Sequence, residues 1–86
     1  MKIKPYTYYK ECYITDNIKR YYLYITDTKY VYQIAYKYKY KDKDNPLIKY
    51  DEKLKCGTIR EWQERMNMYN YNVKEISKED VFLELL

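Results

Sequence analysis

Eighty-six residues support one domain with one modest core, because a chain of this length buries only roughly two thirds of its unfolded surface, so a single domain is expected. Hydrophobic residues at 47% exclude a disordered chain, while charged residues at 35% keep its surface wet. No apolar run approaches the ~20 residues that cross a bilayer, and Met1-Lys2-Ile3-Lys4-Pro5 lacks the apolar stretch of a signal peptide, so a cytoplasmic protein is expected. The formal charge of +4 is uneven: residues 1–55 carry 13 Lys/Arg against 7 Asp/Glu, and residues 56–86 carry 4 against 6. The first half is therefore the surface that would meet an acidic protein or nucleic acid.

Three β-rich runs open the chain. Tyr6 to Ile14 is the first, Lys19 to Ile25 the second and Tyr30 to Lys41 the third. The intervening Thr15-Asp16-Asn17 and Thr26-Asp27-Thr28-Lys29 are short polar segments of turn composition. The third run alternates most clearly. Tyr30, Tyr32, Ile34, Tyr36, Tyr38 and Tyr40 share one parity, and Val31, Gln33, Ala35, Lys37, Lys39 and Lys41 the other. A tyrosine-rich antiparallel meander is expected over residues 5–41. Lys41-Asp42-Lys43-Asp44-Asn45-Pro46 offers nothing to bury, and Pro46 lacks a ladder donor, so a charged loop is expected over 42–46, with a brief strand over Leu47 to Tyr50.

The period then changes. Ile59, Trp62, Met66 and Tyr69 fall at helical steps, Gly57 lets the chain turn, and Thr58 with Glu61 forms a capping box. The spacing predicts a helix from Thr58 to about Tyr69, with Trp62 in the core. Asn70-Tyr71-Asn72 ends it, and Tyr71 to Ile76 returns as a short strand. Ser77 and Asp80 start a terminal helix whose apolar stripe is Val81, Phe82, Leu85 and Leu86. The fold class is thus α+β. A three- to four-stranded, mainly antiparallel sheet in the order β-β-β-α-β-α carries both helices on one face, with the helical half over 58–86.

The chemistry is defined by absences. There is no histidine for acid–base work near neutral pH, and a single glycine cannot build a phosphate-cradling loop. Cys12 and Cys56 are too few for a structural zinc site and lack a histidine base, so reduced, half-buried cysteines are expected, with a disulfide between them as the alternative that geometry decides. The expectation is a non-enzyme with no metal and no cofactor.

Fifteen tyrosines are the positive signal. Tyr6 and Tyr8 oppose Tyr9 and Tyr13 in parity, and Tyr21 opposes Tyr22 and Tyr24, so helices on one face leave rings on the other. Exposed tyrosine makes good interface, because each ring buries much area at little rotamer cost and keeps a hydroxyl to pair. Tyr9, Tyr13, Tyr22 and Tyr24 are the expected anchors, with Arg20 sharing the parity of Tyr22 and Tyr24. Lys37, Lys39 and Lys41 would steer the partner. Lys37-Tyr38-Lys39-Tyr40-Lys41 also suggests nucleic acid, but an extended strand points its tyrosines away from its lysines, toward the core.

The A/T-rich codons behind Lys, Tyr, Ile, Asn and Asp suit a phage, virus or mobile element. The expected function is an accessory protein that binds a host protein or nucleoprotein complex, such as a CRISPR-Cas defence system, and blocks or diverts it. The alternatives are a nucleic-acid-binding module built on the basic half and a homodimer joined through a tyrosine face.

Overall fold

The molecule, a computed structural model, is described over residues 1–15, 17–40, 47–69 and 71–86. The loop expected over 42–46 and Lys41 lie outside the described residues. Four consecutive strands, β1 (Tyr8–Ile14), β2 (Ile18–Thr26), β3 (Tyr30–Tyr40) and β4 (Leu47–Thr58), lead into helix α1 (Ile59–Met68). A short strand β5 (Val73–Ile76) and helix α2 (Lys78–Glu84) complete the chain. The sheet has the order β4-β3-β2-β1-β5, and every pairing is antiparallel.

The five strands exceed the three to four expected. The excess lies mainly in β4, which runs 12 residues where a brief strand was expected. Its alternation is hidden by irregular pairing. Gln33 lies opposite Leu54 but Ala35 opposite Tyr50, and Val31 lies opposite Gly57 but Tyr32 opposite Lys55, so β4 spends extra residues in bulges. Lys53, within the first of these, takes the left-handed φ of 26°.

A third bulge decides which rings share a face. Leu23 lies opposite Ala35 and Tyr24 opposite Gln33, which leaves Ile34 as the extra residue of β3. Ile34 packs with Leu23 and Ala35, so two successive residues of β3 point the same way and the parity inverts. Tyr30 and Tyr32 therefore lie on the face opposite Tyr36, Tyr38 and Tyr40. The single aromatic face expected from strict alternation is divided in two.

The helices also divide. One core joins Ile3, Tyr9, Tyr24, Val31 and Trp62, with Ile59 and Met66 packed on it. The other joins Leu23, Ala35 and Val81, with Tyr8, Ile34, Ile76 and Leu85. Leu23 and Tyr24 are adjacent on β2 and point to opposite faces, so α1 and α2 cover opposite faces, not one face as expected. Both parities are apolar at the middle of β2, and no single layer of helices could have covered both.

Local chemistry places the helices. Gly57 has φ +143°, a region closed to side chains, and turns β4 directly into α1. The Thr58 hydroxyl accepts from Glu61 N–H at 3.1 Å, and the Glu61 carboxylate accepts from Thr58 N–H at 3.3 Å. Ser77 and Asp80 make the same reciprocal pair, both bonds at 3.1 Å, and these bonds hold the Asp80 carboxyl below its usual range. On α2, Val81 is buried and Leu85 half-buried, whereas Phe82 and Leu86 face solvent, so only half of the expected terminal stripe docks. The Glu84 carboxylate reaches Lys10 and Lys37, and Tyr50 donates to Leu85 O at 3.0 Å. The N-terminal arm closes the α1 side: Ile3 is buried, its N–H donates to Gln63 Oε1 at 2.7 Å, and the Thr26 hydroxyl donates to Lys4 O.

Candidate interaction surface

Cross-strand partners share a face of a sheet, so the register assembles the surface directly. On the α1 side, Arg20 of β2 lies opposite Tyr13 of β1 and Tyr38 of β3, and Tyr22 lies opposite Glu11 and Tyr36. Helix α1 is ten residues, about 15 Å at ~1.5 Å per residue. Strand β3 is 11 residues, about 36 Å at ~3.3 Å per residue. The helix covers Tyr24 and Val31 and stops short of the far half of the sheet.

On that far half the rings form a ladder. Tyr22 and Tyr36 have centroids 5.1 Å apart, Tyr36 and Tyr38 5.4 Å, and Tyr38 and Tyr40 5.3 Å. Tyr22, Tyr36 and Tyr38 are half-buried by one another, Tyr40 is exposed, and Arg20, Leu47 and Lys49 are exposed beside them. Crowding raises the Tyr38 phenol pKa, Tyr40 adds to the shift, and Arg20 opposes it. At its inner end the ladder continues into the core, with Tyr22 6.4 Å from Tyr24 and Tyr24 edge-on to Trp62 at 4.5 Å.

The expected site residues separate on this frame. Tyr13, Arg20 and Tyr22 come together with Tyr36, Tyr38 and Tyr40. Tyr9 is fully buried, its hydroxyl accepting from Lys4 N–H at 2.8 Å, so it is a core residue and not an open-face anchor. Tyr24 is 6% exposed and donates to Glu11 Oε1 at 3.1 Å, so it too belongs to the core. Burial, reinforced by the Glu11 charge, holds the Tyr24 phenol protonated well above its usual range.

Lys37 lies on the α2 side, half-buried against Glu84 at 3.5 Å and 5.9 Å from the Tyr21 ring. It anchors a helix and is not open for steering. Lys39 is exposed on the same side, directly opposite Lys19, and Lys41 lies outside the described residues. Tyr36, Tyr38 and Tyr40 were expected to cover the core and instead form the open ladder. The signal available for them was length, since a ten-residue helix cannot roof an 11-residue strand.

Among the described residues, recesses flank these elements. One, of about 180 Å³, is lined by Glu11, Tyr24, Trp62, Arg65, Met66 and Tyr71. Another, of about 280 Å³, is lined by Tyr6, Ile25, Thr26, Asp27, Tyr32 and Lys53. In the second the carboxylate is already engaged: Asp27 accepts from Tyr30 N–H at 2.7 Å, Lys29 N–H at 2.8 Å and the Tyr32 hydroxyl at 3.0 Å. The Tyr30 and Lys29 N–H groups hold its carboxyl below the usual range.

Cys12 and Cys56 form no disulfide. Cys12 lies opposite Tyr21 on the α2 side, while Cys56 packs against the α1-side core. Among the described residues no group of three or more His, Cys, Asp or Glu could hold a metal, and no helix is long and apolar enough to cross a membrane. No protein-family model matches the chain, and no curated protein or solved structure matches it either.

Proposed function

We propose that the chain is a non-enzymatic binding module whose ligand is another protein, docked on the uncovered half of the α1-side sheet face. The observation that carries this reading is the ladder of Tyr22, Tyr36, Tyr38 and Tyr40 beside exposed Arg20 and Tyr13. Tyrosine and arginine are the residues that dominate protein interfaces, because each combines large buried area with a polar end. The ring geometry favours protein over nucleic acid. Each ladder ring is tilted or edge-on to its neighbour, so ring faces are spent on one another, whereas a base platform needs them open and lined by cations. Arg20 and Lys49 stand beside the ladder, while Lys19, Lys37 and Lys39 lie on the other face.

Within this class the chain fits an accessory protein of a phage, virus or mobile element that blocks or diverts a host complex. A composition weighted toward Lys, Tyr, Ile, Asn and Asp, residues that A/T-rich codons encode, supports that origin, and the ladder supports the docking. The test compares capture from the native host by wild type, by Arg20→Ala/Tyr38→Ala and by Lys39→Ala, all confirmed folded by circular dichroism. Loss of the captured protein with the double variant alone supports the reading. Loss with Lys39→Ala alone refutes it.

A second reading has its own observation. Lys19 and Lys39 face each other across β2 and β3 with no acid paired to either among the described residues, and like charges so placed repel. A polyanion laid over the α2 side would relieve them. Salt distinguishes the two, because phosphate-driven binding falls steeply with ionic strength and a tyrosine-anchored interface falls mildly.

A further inference from the structure

We propose that the recess beside Trp62 receives one basic side chain, a lysine ammonium or an arginine guanidinium, presented by the protein that docks on the tyrosine ladder. This inference rests on the docking reading and assigns it an anchor point. The recess holds about 180 Å³, below the roughly 300 Å³ where small-molecule pockets begin. It is sized for a side chain.

Its lining combines aromatic rings with one carboxylate. Tyr24 and Trp62 meet edge to face at 4.5 Å, and Tyr71 and Met66 complete an aromatic and thioether lining. Aromatic faces carry the negative end of a quadrupole and draw cations, most strongly where water is excluded. The charge comes from Glu11. Its carboxylate is half-buried and accepts the Tyr24 hydroxyl at 3.1 Å, and no ion pair to it is found among the described residues. Glu84, another half-buried carboxylate, has two lysines, and Asp27, the third among the described residues, is engaged by two backbone N–H groups and the Tyr32 hydroxyl. A carboxylate accepts several hydrogen bonds, so Glu11 keeps acceptor capacity toward the recess.

Position links the recess to the ladder. Tyr22 stacks 6.4 Å from Tyr24 and lies opposite Glu11, so a chain lying along Tyr40, Tyr38, Tyr36 and Tyr22 arrives beside Glu11, which lines the recess with Tyr71. Arg65 is the one cation in the lining among the described residues. It is exposed and unpaired with Glu11, and its charge at the rim opposes an incoming cation.

Trp62 is the single tryptophan, so its fluorescence reports on the recess without a label. The full chain is titrated with n-butylammonium and n-butylguanidinium, with n-butanol and n-butyrate as neutral and anionic counterparts of equal length. Both cations are expected to change Trp62 emission saturably in the millimolar range, at least about tenfold more tightly than butanol or butyrate. Glu11→Gln keeps an oxygen for the Tyr24 hydroxyl and is expected to abolish the preference for cations. Tyr71→Ala, at a 41% exposed position, should weaken cation binding about threefold, and Arg65→Ala should tighten it by a similar factor. These two exposed-site variants test the recess even if Glu11→Gln fails to fold.

Butanol or butyrate binding as tightly as butylammonium would overturn the proposal. So would the absence of a saturable cation response, or a response unchanged in folded Glu11→Gln. The docking reading fails separately: Arg20→Ala/Tyr38→Ala leaves the butylammonium titration intact whether or not the ladder captures a protein.

Discussion

Replacing Glu84 by glutamine tests how α2 is held. The side chain retains 25% exposure and lies between Lys10 and Lys37, whose side chains retain 14% and 19%. Two unit charges ~4 Å apart interact by about 4 kcal/mol at an effective dielectric of ~20. Much of that is offset by desolvation, and removing one partner of a fully buried pair costs about 3–5 kcal/mol. Partial exposure lowers the figure, and the Tyr21 ring, 4.6 Å from Lys10 Nζ and 5.9 Å from Lys37 Nζ, partly shelters the stranded lysines. The expected cost at pH 7 is about 2 kcal/mol.

Acid should produce the same loss in the wild type. Burial alone would raise the Glu84 pKa, but the hydrogen bond and charge of Lys10, followed by the charge of Lys37, outweigh it and hold the carboxyl below its usual range. A depressed folded pKa means stability that is present above the unfolded value, near ~4.3, and is lost as pH falls through the folded one. Urea unfolding at pH 7 and at pH 3 measures both effects. Glu84→Gln should be the less stable protein at pH 7, and the gap should close toward pH 3. A gap below about 0.5 kcal/mol at pH 7, the level of an ordinary exposed pair, would refute the reasoning. A gap that persists in acid would do so as well.

Three further outcomes follow from positions already described. Gly57→Ala forces a side chain into φ +143° with its Cβ 3.4 Å from Glu61 Oε2, and should cost about 1–3 kcal/mol in chemical denaturation. The raised Tyr24 pKa gives stability that is full below the unfolded phenol value of ~10 and declines above it. Wild type should therefore weaken in alkali more steeply than Tyr24→Phe, and parallel pH profiles would contradict the assignment. Lys19→Glu replaces a like-charge cross-strand pair by an opposite one and should raise stability by about 0.2–1 kcal/mol, an effect that added salt should diminish.

Much of the local structure was legible because it is written in short-range chemistry. Thr58 with Glu61 and Ser77 with Asp80 start their helices as the capping pattern predicts, and Asp27 organises its turn through Lys29 and Tyr30. The shared parity of Arg20, Tyr22 and Tyr24 also holds, because β2 carries no extra residue of its own. What stayed hidden depends on pairing between strands. Nothing in Gln-Ile-Ala marks Ile34 as a bulge, and its neighbours Leu23 and Val81, which it packs beside, lie on other elements, β2 and α2. In β4, exposed Leu47, Tyr50 and Leu54 read as the end of a strand, since an edge strand with bulges has no clean buried parity to display.

The Ile34 bulge links fold and surface. With unbroken alternation, Tyr36, Tyr38 and Tyr40 would share the face of Tyr30 and Tyr32, where α2 packs, and Lys37 and Lys39 would flank Arg20. The sheet would then be aromatic on one side and basic on the other. One extra residue exchanges the two halves of β3, placing the three tyrosines beside Tyr22 on the face whose helix is too short to roof them. It delivers Lys37 to Glu84, where the lysine holds α2 on the opposite face. The irregularity that opens the ladder thus also supplies the charge that anchors the second helix, so the two faces are set by a single register choice.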